Sequence, residues 1–282
     1  MHVIRARQGE AMFYYFVFLI LAPLLLIQGR LVRKNIPILA EATGGRSGRL
    51  GEGRPLSVLV VGDSAAAGVG VETQEDALSG CLTRILAQKY CVDWSLVAKS
   101  GNTTEDLIET LQGRPFQADS LSVDSSEASF LDDYSPQDKN IDGNSLNDNG
   151  GPDIDVVLVS LGVNDLLSPI RESHWIAQQV RLITLLKSKF AAKHILMTAV
   201  PPMHCFPALP QPLRWFLGLR ASEFNRKLVS LIELESECEL VIIPLMPIAS
   251  DMASDGFHPG ADVYRLWGGT AAKAIEKRIE LQ

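Results

Sequence analysis

Five short apolar runs recur along the chain: Ser57–Val61, Val92–Ala98, Ile154–Leu161, His194–Val200 and Leu240–Pro244. Each is too short for a helix and rich in Val, Ile and Leu, the pattern of a strand buried on both faces of a parallel sheet. Stretches with helical spacing separate them, around Gln74–Lys89, Thr104–Leu111, His174–Phe190, Ala221–Glu235 and Ala261–Ile279. Thr73 with Asp76 and Thr103 with Asp106 have the spacing of capping boxes at two helix starts. A strand–helix alternation of this kind predicts an α/β domain built on five parallel strands.

The amino-terminal region departs from that rhythm. Residues 11–29 (AMFYYFVFLILAPLLLIQG) carry no charge, and a helix of that length just spans a hydrocarbon core of about 30 Å. Arg5 and Arg7 precede the run, Arg30, Arg33 and Lys34 follow it, and Tyr14 and Tyr15 suit an interfacial position. Residues 1–34 are therefore expected to form a membrane-anchor helix. A cleavable signal peptide would place small residues directly after the apolar run, whereas Ala40–Ala42 lies beyond three cations and Pro37. Both flanks are basic, so the side of the membrane stays open. The Gly- and Arg-rich stretch GGRSGRLGEGRP, from Gly44 to Pro55, reads as a tether, giving a linker over 35–56 and a globular domain over 57–282. A second break, 113–152, reads as a disordered acidic insertion, with a lid or partner-docking loop as the alternative.

Charge and cysteine usage narrow the function classes. The 282 residues carry 26 Lys and Arg against 33 Asp and Glu, a net charge of −7. Residues 114–152 hold eight acids and two bases, so nearly all of that excess sits in the insertion. No basic block suited to phosphate backbones is present, which argues against nucleic acid as a partner. Cys81, Cys91, Cys205 and Cys238 are scattered without a C-x-x-C pair, so they read as free thiols rather than zinc ligands or a disulfide framework.

Ligands of open parallel sheets bind beyond the carboxyl ends of the strands, so the residues following each apolar run matter most. There the chain places Gly62-Asp63-Ser64, then Ser100-Gly101-Asn102, then Gly162-Val163-Asn164-Asp165, and in the last loop Asp255-Gly256-Phe257-His258. A serine hydroxyl is a weak nucleophile that needs an imidazole to take its proton and a carboxylate to orient that imidazole. Ser64, His258 and Asp255 supply the three. The oxyanion formed on attack needs preorganised donors, and the N–H groups of Ser64 and Gly101 with the Asn164 amide fit that need. Asp63 and Asp165 read as acceptors for loop and helix-start N–H groups. His204 is a rim residue. Trp215 and Phe216, in the apolar stretch Pro201–Leu219, are candidates for a substrate pocket or a bilayer contact. The set is chemically complete without a metal or cofactor.

These four blocks, in this order, resemble the SGNH hydrolase family, also called GDSL esterases and lipases. The α/β-hydrolase elbow G-x-S-x-G is missing, because position 66 is Ala66. The resemblance runs from about Ser57 onward and implies a flavodoxin-like three-layer α/β/α sandwich with a five-stranded parallel sheet, here preceded by the N-terminal hydrophobic helix. It also implies a catalytic Ser64, Asp255 and His258, with Gly101 and Asn164 in the oxyanion hole. The expected activity is hydrolysis of small to medium-chain or lipid-like acyl esters through an acyl-enzyme. A carbohydrate O-acyl esterase or acyltransferase, and a non-catalytic anchored binding module, are the alternatives.

Overall fold

The computed structural model describes residues 21–113, 152–244 and 248–281. Their strands are β1 (Ser47–Leu50), β2 (Arg54–Gly62), β3 (Tyr90–Ala98), β4 (Val156–Ser160), β5 (His194–Thr198) and β6 (Cys238–Val241). They form one sheet in the order β1-β3-β2-β4-β5-β6, in which β1 runs antiparallel to β3 and every other pairing is parallel. The helices are α1 (21–35), α2 (Leu78–Leu86), α3 (Thr104–Gly113), α4 (Val163–Leu167), α5 (Glu172–Phe190), α6 (Leu213–Ile232) and α7 (Ala261–Glu280).

The two-residue period of strand side chains divides the core. Val58 and Val60 of β2 pack with Leu78 and Leu82 of α2 and Trp267 and Ala271 of α7 on one face. Leu59 and Val61 pack with Leu107 of α3, Leu186 of α5 and Phe224 of α6 on the other. The result is the α/β/α sandwich expected. From β2 the chain moves outward to β3 and then returns to β4 on the other side of β2. Loops leaving β2 and β4 therefore diverge and open a crevice at the carboxyl edge, where a ligand site belongs.

The strand count needs correction. The sheet has six strands rather than five, and the sixth, β1, comes from the stretch read as a tether. Its pairing with β3 is made by the main chain, and it is extended by Leu96 N–H donating to the Arg46 carbonyl at 2.7 Å and by the Arg46 side chain, whose guanidinium donates to the Ala98 carbonyl at 2.7 Å. An edge strand held this way needs no apolar composition, so composition does not reveal it. The described part of the expected anchor and linker makes contacts with the domain. Leu25 of α1 is only 7% exposed and joins the apolar cluster containing Leu213 and Leu217 of α6. The Gln28 side chain bridges to the start of α6, donating to the Gln211 carbonyl at 2.7 Å and accepting from Leu213 N–H at 3.1 Å. Residues 21–56 thus pack on the domain. No helix among the described residues is long and apolar enough to cross a membrane. Residues 1–20 of the expected anchor, and 114–151 of the acidic insertion, lie outside the described residues.

Smaller differences sit at element ends. Helix α2 starts at Leu78 because Gln74–Asp76 form turns, although the Thr73 hydroxyl does meet Asp76 at 3.4 Å. Thr103 and Asp106 form the expected reciprocal box, with Thr103 N–H on the Asp106 carboxylate at 2.9 Å and Asp106 N–H on the Thr103 hydroxyl at 3.3 Å. Helix α6 begins eight residues earlier than its polar spacing suggested, at Leu213.

Candidate active site

Four strand ends deliver the polar residues to one edge. Ser64 follows β2 in a run of turns. The Asp63 carboxylate accepts the Ala65 N–H at 3.1 Å, which holds this turn as expected of Asp63. In the loop before α7, Asp255 folds the chain around itself. One carboxylate oxygen accepts the N–H groups of Phe257 and His258 at 2.9 and 3.0 Å. The other meets His258 Nδ1 at 2.5 Å. Burial pushes the Asp255 carboxyl up, but these bonds from His258 and from the two backbone N–H groups outweigh it and leave the acid below its ordinary range. An ionised Asp255 fixes the proton on Nδ1 and leaves Nε2 as an acceptor, 3.0 Å from the Ser64 hydroxyl. The Phe257 ring meets the imidazole edge-on at 5.4 Å, and Phe206 meets Phe257 at 5.5 Å.

The remaining expected donors surround Ser64. Gly101 adopts φ +86°, a conformation that favours glycine, and a Cβ there would meet nothing within 4 Å, so its backbone faces open space. Gly162, at φ +118°, turns the chain from β4 into α4 and sets Asn164 in the first turn of that short helix. The Asn164 side-chain amide donates one N–H to the Asn102 carbonyl at 2.9 Å and keeps a second. Asp165 braces the same turn from behind. Its carboxylate accepts the Thr104 N–H and hydroxyl at the start of α3, at 3.1 and 2.9 Å, and Gln179 of α5 donates to that hydroxyl at 2.8 Å. Asp165 is thus a helix-start acceptor, as expected.

Sequence reasoning missed Glu41. Its carboxylate accepts the Ser100 N–H at 2.6 Å and pairs with Arg46 at 2.5 Å, so the segment leading into β1 clamps the loop that carries Gly101. Lying within the expected linker 35–56, Glu41 has no motif to mark it.

Ser64 and His258 line two cavities. The smaller, of about 120 Å³, reaches between the β5 and β6 ends past Val200, Phe206 and Trp267. A larger one, of about 750 Å³, is also lined by Gly101 and Asn164, and its walls include Leu213, Phe216 and Leu217 of α6. Phe216 therefore sits where a pocket residue was expected. Trp215 and His204 do not line either cavity. Trp215 is 39% exposed on the neighbouring face of α6, and His204 packs its Cβ over Gly218 with its ring turned to the surface. No group of His, Cys, Asp or Glu suited to a metal occurs among the described residues.

Asp63 gives the site a pH signature. Complete burial, reinforced by the neighbouring Asp165 carboxylate, pushes its carboxyl up to about 7. Unfolded, the same group titrates near about 3.9. Its contribution to stability is therefore full below about 3.9 and is lost as the pH rises toward 7, by up to about 4 kcal/mol. Asp63→Asn keeps an acceptor for Ala65 and removes the titration. Urea midpoints of the variant are expected to gain on the wild type from pH 4 to pH 7 and then level off. A gap independent of pH would show that Asp63 is not held protonated by burial.

A psychrotrophic esterase, EstA from Pseudoalteromonas sp., matches with a TM-score of 0.54 and 16% identity over 79% of this chain and 98% of its own. A lipolytic protein of the G-D-S-L family from Veillonella parvula matches at 0.52 and 14%, over 79% and 99%. A carbohydrate esterase family 2 enzyme from Corynascus thermopiles matches at 0.52 and 18%, over 87% and 69%. No curated protein matches in sequence. At such identities the structural likeness establishes the fold alone. The model of the GDSL-like lipase/acylhydrolase family goes further, matching residues 60–266, a span that contains all four strand-end blocks from Gly62 to His258. The chain accordingly belongs to the GDSL-like lipase/acylhydrolase family and is a carboxylic ester hydrolase.

Proposed function

We propose that the protein is a serine esterase that cleaves aliphatic, lipid-like acyl esters through an acyl-enzyme on Ser64. The observation that carries this reading is the 3.0 Å approach of His258 Nε2 to the Ser64 hydroxyl, with Asp255 on the opposite ring nitrogen. Ser64 Oγ attacks the ester carbonyl carbon while His258 Nε2 takes its proton. The carbonyl π bond opens, and the oxyanion is held by the N–H groups of Ser64 and Gly101 and by the second N–H of Asn164. As the tetrahedral adduct collapses, the C–O bond to the alcohol breaks and His258 returns the proton to the departing oxygen. Water then attacks the acyl-enzyme by the same route, releasing the carboxylic acid and restoring Ser64.

The lining favours an acyl chain over a sugar. Sugars require many side-chain hydrogen bonds, whereas Leu213, Phe216, Leu217, Leu166 and Leu167 offer apolar surface beside the donors. The carbohydrate esterase among the similar structures represents the other substrate class. Hydrolysis of p-nitrophenyl esters of two to twelve carbons by the full-length protein discriminates. The expected optimum lies at eight carbons or more, and Phe216→Ala lowers kcat/KM on octanoate at least fivefold more than on acetate. Trp215→Ala, outside the cavity, leaves that ratio alone. An optimum at acetate with no ratio change in Phe216→Ala would contradict the lipid-like substrate and favour acetylated carbohydrate.

A further inference from the structure

An oxyanion held by the N–H groups of Ser64 and Gly101 draws one donor from the turns after β2 and the other from the turn after β3. Its stabilisation therefore depends on how those turns are set against each other. Packing cannot do this at Gly101, which has no side chain and where even a Cβ would meet nothing within 4 Å. The direction of its N–H is left to hydrogen bonds on the neighbouring peptides.

Two such bonds flank Gly101. On its carboxyl side, the Asn102 carbonyl accepts from the Asn164 amide at 2.9 Å. On its amino side, the Ser100 N–H donates to the Glu41 carboxylate at 2.6 Å, and the Ser100 side chain adds to that contact. The other Glu41 oxygen pairs with Arg46 at 2.5 Å, and Arg46 donates to the carbonyl of Ala98, the last residue of β3, at 2.7 Å. Glu41 and Arg46 thus hold both ends of the stretch Ala98–Ser100, directly before Gly101.

The residues after Glu41 bind the other turns. Ala42 N–H donates to the Ala67 carbonyl at 3.3 Å, and Ala67 N–H donates to the Asp63 carbonyl at 2.9 Å, around Ser64. The buried Gln74 amide donates to the carbonyls of Ala42 and Ala67, at 3.2 and 3.0 Å. Thr43 N–H donates to the Glu72 carbonyl and the Thr43 carbonyl accepts the Gln74 N–H, both at 2.8 Å. The chain from Glu41 to Arg46 is therefore a strap between the turns of Ser64 and Gly101, and it precedes the family-matched residues 60–266. The Glu41–Arg46 pair is solvent-accessible, and pairs of that kind add little to stability.

We propose that Glu41 is a positioning residue for ester hydrolysis. Acting on Ser100 directly and on Ala98 through Arg46, it aims the Gly101 N–H at the oxygen that the Ser64 N–H also meets. It lines neither cavity and touches no reacting atom. The proposal rests on the esterase reading and adds to it a residue that the reaction needs.

The test uses the full-length protein, with p-nitrophenyl butyrate as substrate and a butyl trifluoromethyl ketone as inhibitor, whose adduct with a serine places an oxyanion in the hole. Glu41→Ala is expected to lower kcat about tenfold or more, less than outright loss of a donor, with KM changed by no more than about threefold. The inhibition constant of the ketone should rise by about the same factor, because the adduct resembles the transition state. Glu41→Gln keeps an acceptor for the Ser100 N–H and is expected to stay within about threefold of the wild type. Unchanged kcat and ketone inhibition in Glu41→Ala, a rise in KM at constant kcat, or Glu41→Gln as impaired as Glu41→Ala would each overturn the proposal. If Glu41→Ala does not fold, Glu41→Asp, which draws the carboxylate back by one methylene, takes its place with the same expectation and the same contrary outcomes. Ser64-dependent hydrolysis by the wild type separates the two levels. If it is present while Glu41→Ala keeps its kcat, only the role of Glu41 falls; if it is absent, the esterase reading falls and this proposal with it.

Discussion

Replacing Ser64 by Ala is expected to lower kcat on p-nitrophenyl butyrate by about 10⁴- to 10⁶-fold, and His258→Ala by a similar factor. Combining the two should cost little more than either alone. The reason is geometric: the Ser64 hydroxyl and His258 Nε2 share one hydrogen bond at 3.0 Å, so removing either end disables the same proton transfer. Neither side chain is part of the apolar clusters, and urea midpoints of both variants should stay within about 1 kcal/mol of the wild type, as for changes outside a core. Losses that multiply in the double variant would mean that Ser64 and His258 act in separate steps.

The second large effect is expected at Asn164. Asn164→Ala should lower kcat by about 100- to 1,000-fold with KM changed only a few-fold, because a donor aimed at the developing oxyanion acts in the transition state and not on the bound ester. Asn164→Asp keeps the shape but replaces the donor by a carboxylate beside the oxyanion, and should lose more. Steady-state kinetics on butyrate esters read both. A rise in KM at constant kcat would place Asn164 in ground-state binding instead. The position of Asn164 depends on the turn set by Gly162 and on Asp165 anchored at Thr104, so its own packing contribution is small beside theirs.

Much of this site is legible in the sequence because parallel strands buried on both faces write themselves as apolar runs, and the chemistry follows directly at their ends. Ser64, Gly101, Asn164, Asp255 and His258 were located by that rule and are brought together at one sheet edge. The elements that escaped do so for a common physical reason: they are held by contacts that composition does not encode. Strand β1 is paired through its main chain, and Glu41 acts through one backbone N–H. Helix α1 meets α6 through Leu25 and Gln28, contacts that an uncharged run does not announce. Within α6, a one-residue difference in helical phase puts Phe216 in the cavity and Trp215 at the surface, and an aromatic-rich stretch read without its helix start does not resolve that phase.

The most direct test of the acyl-enzyme is covalent capture of its nucleophile. The full-length protein is treated with a fluorophosphonate, which phosphonylates an activated serine, and the site of the added mass is located by peptide mass spectrometry. One equivalent on the peptide containing Ser64, appearing in step with the loss of esterase activity and absent from Ser64→Ala, is the predicted result. Inactivation with the mass on another residue, or an active enzyme that the reagent never labels, would contradict Ser64 as the nucleophile.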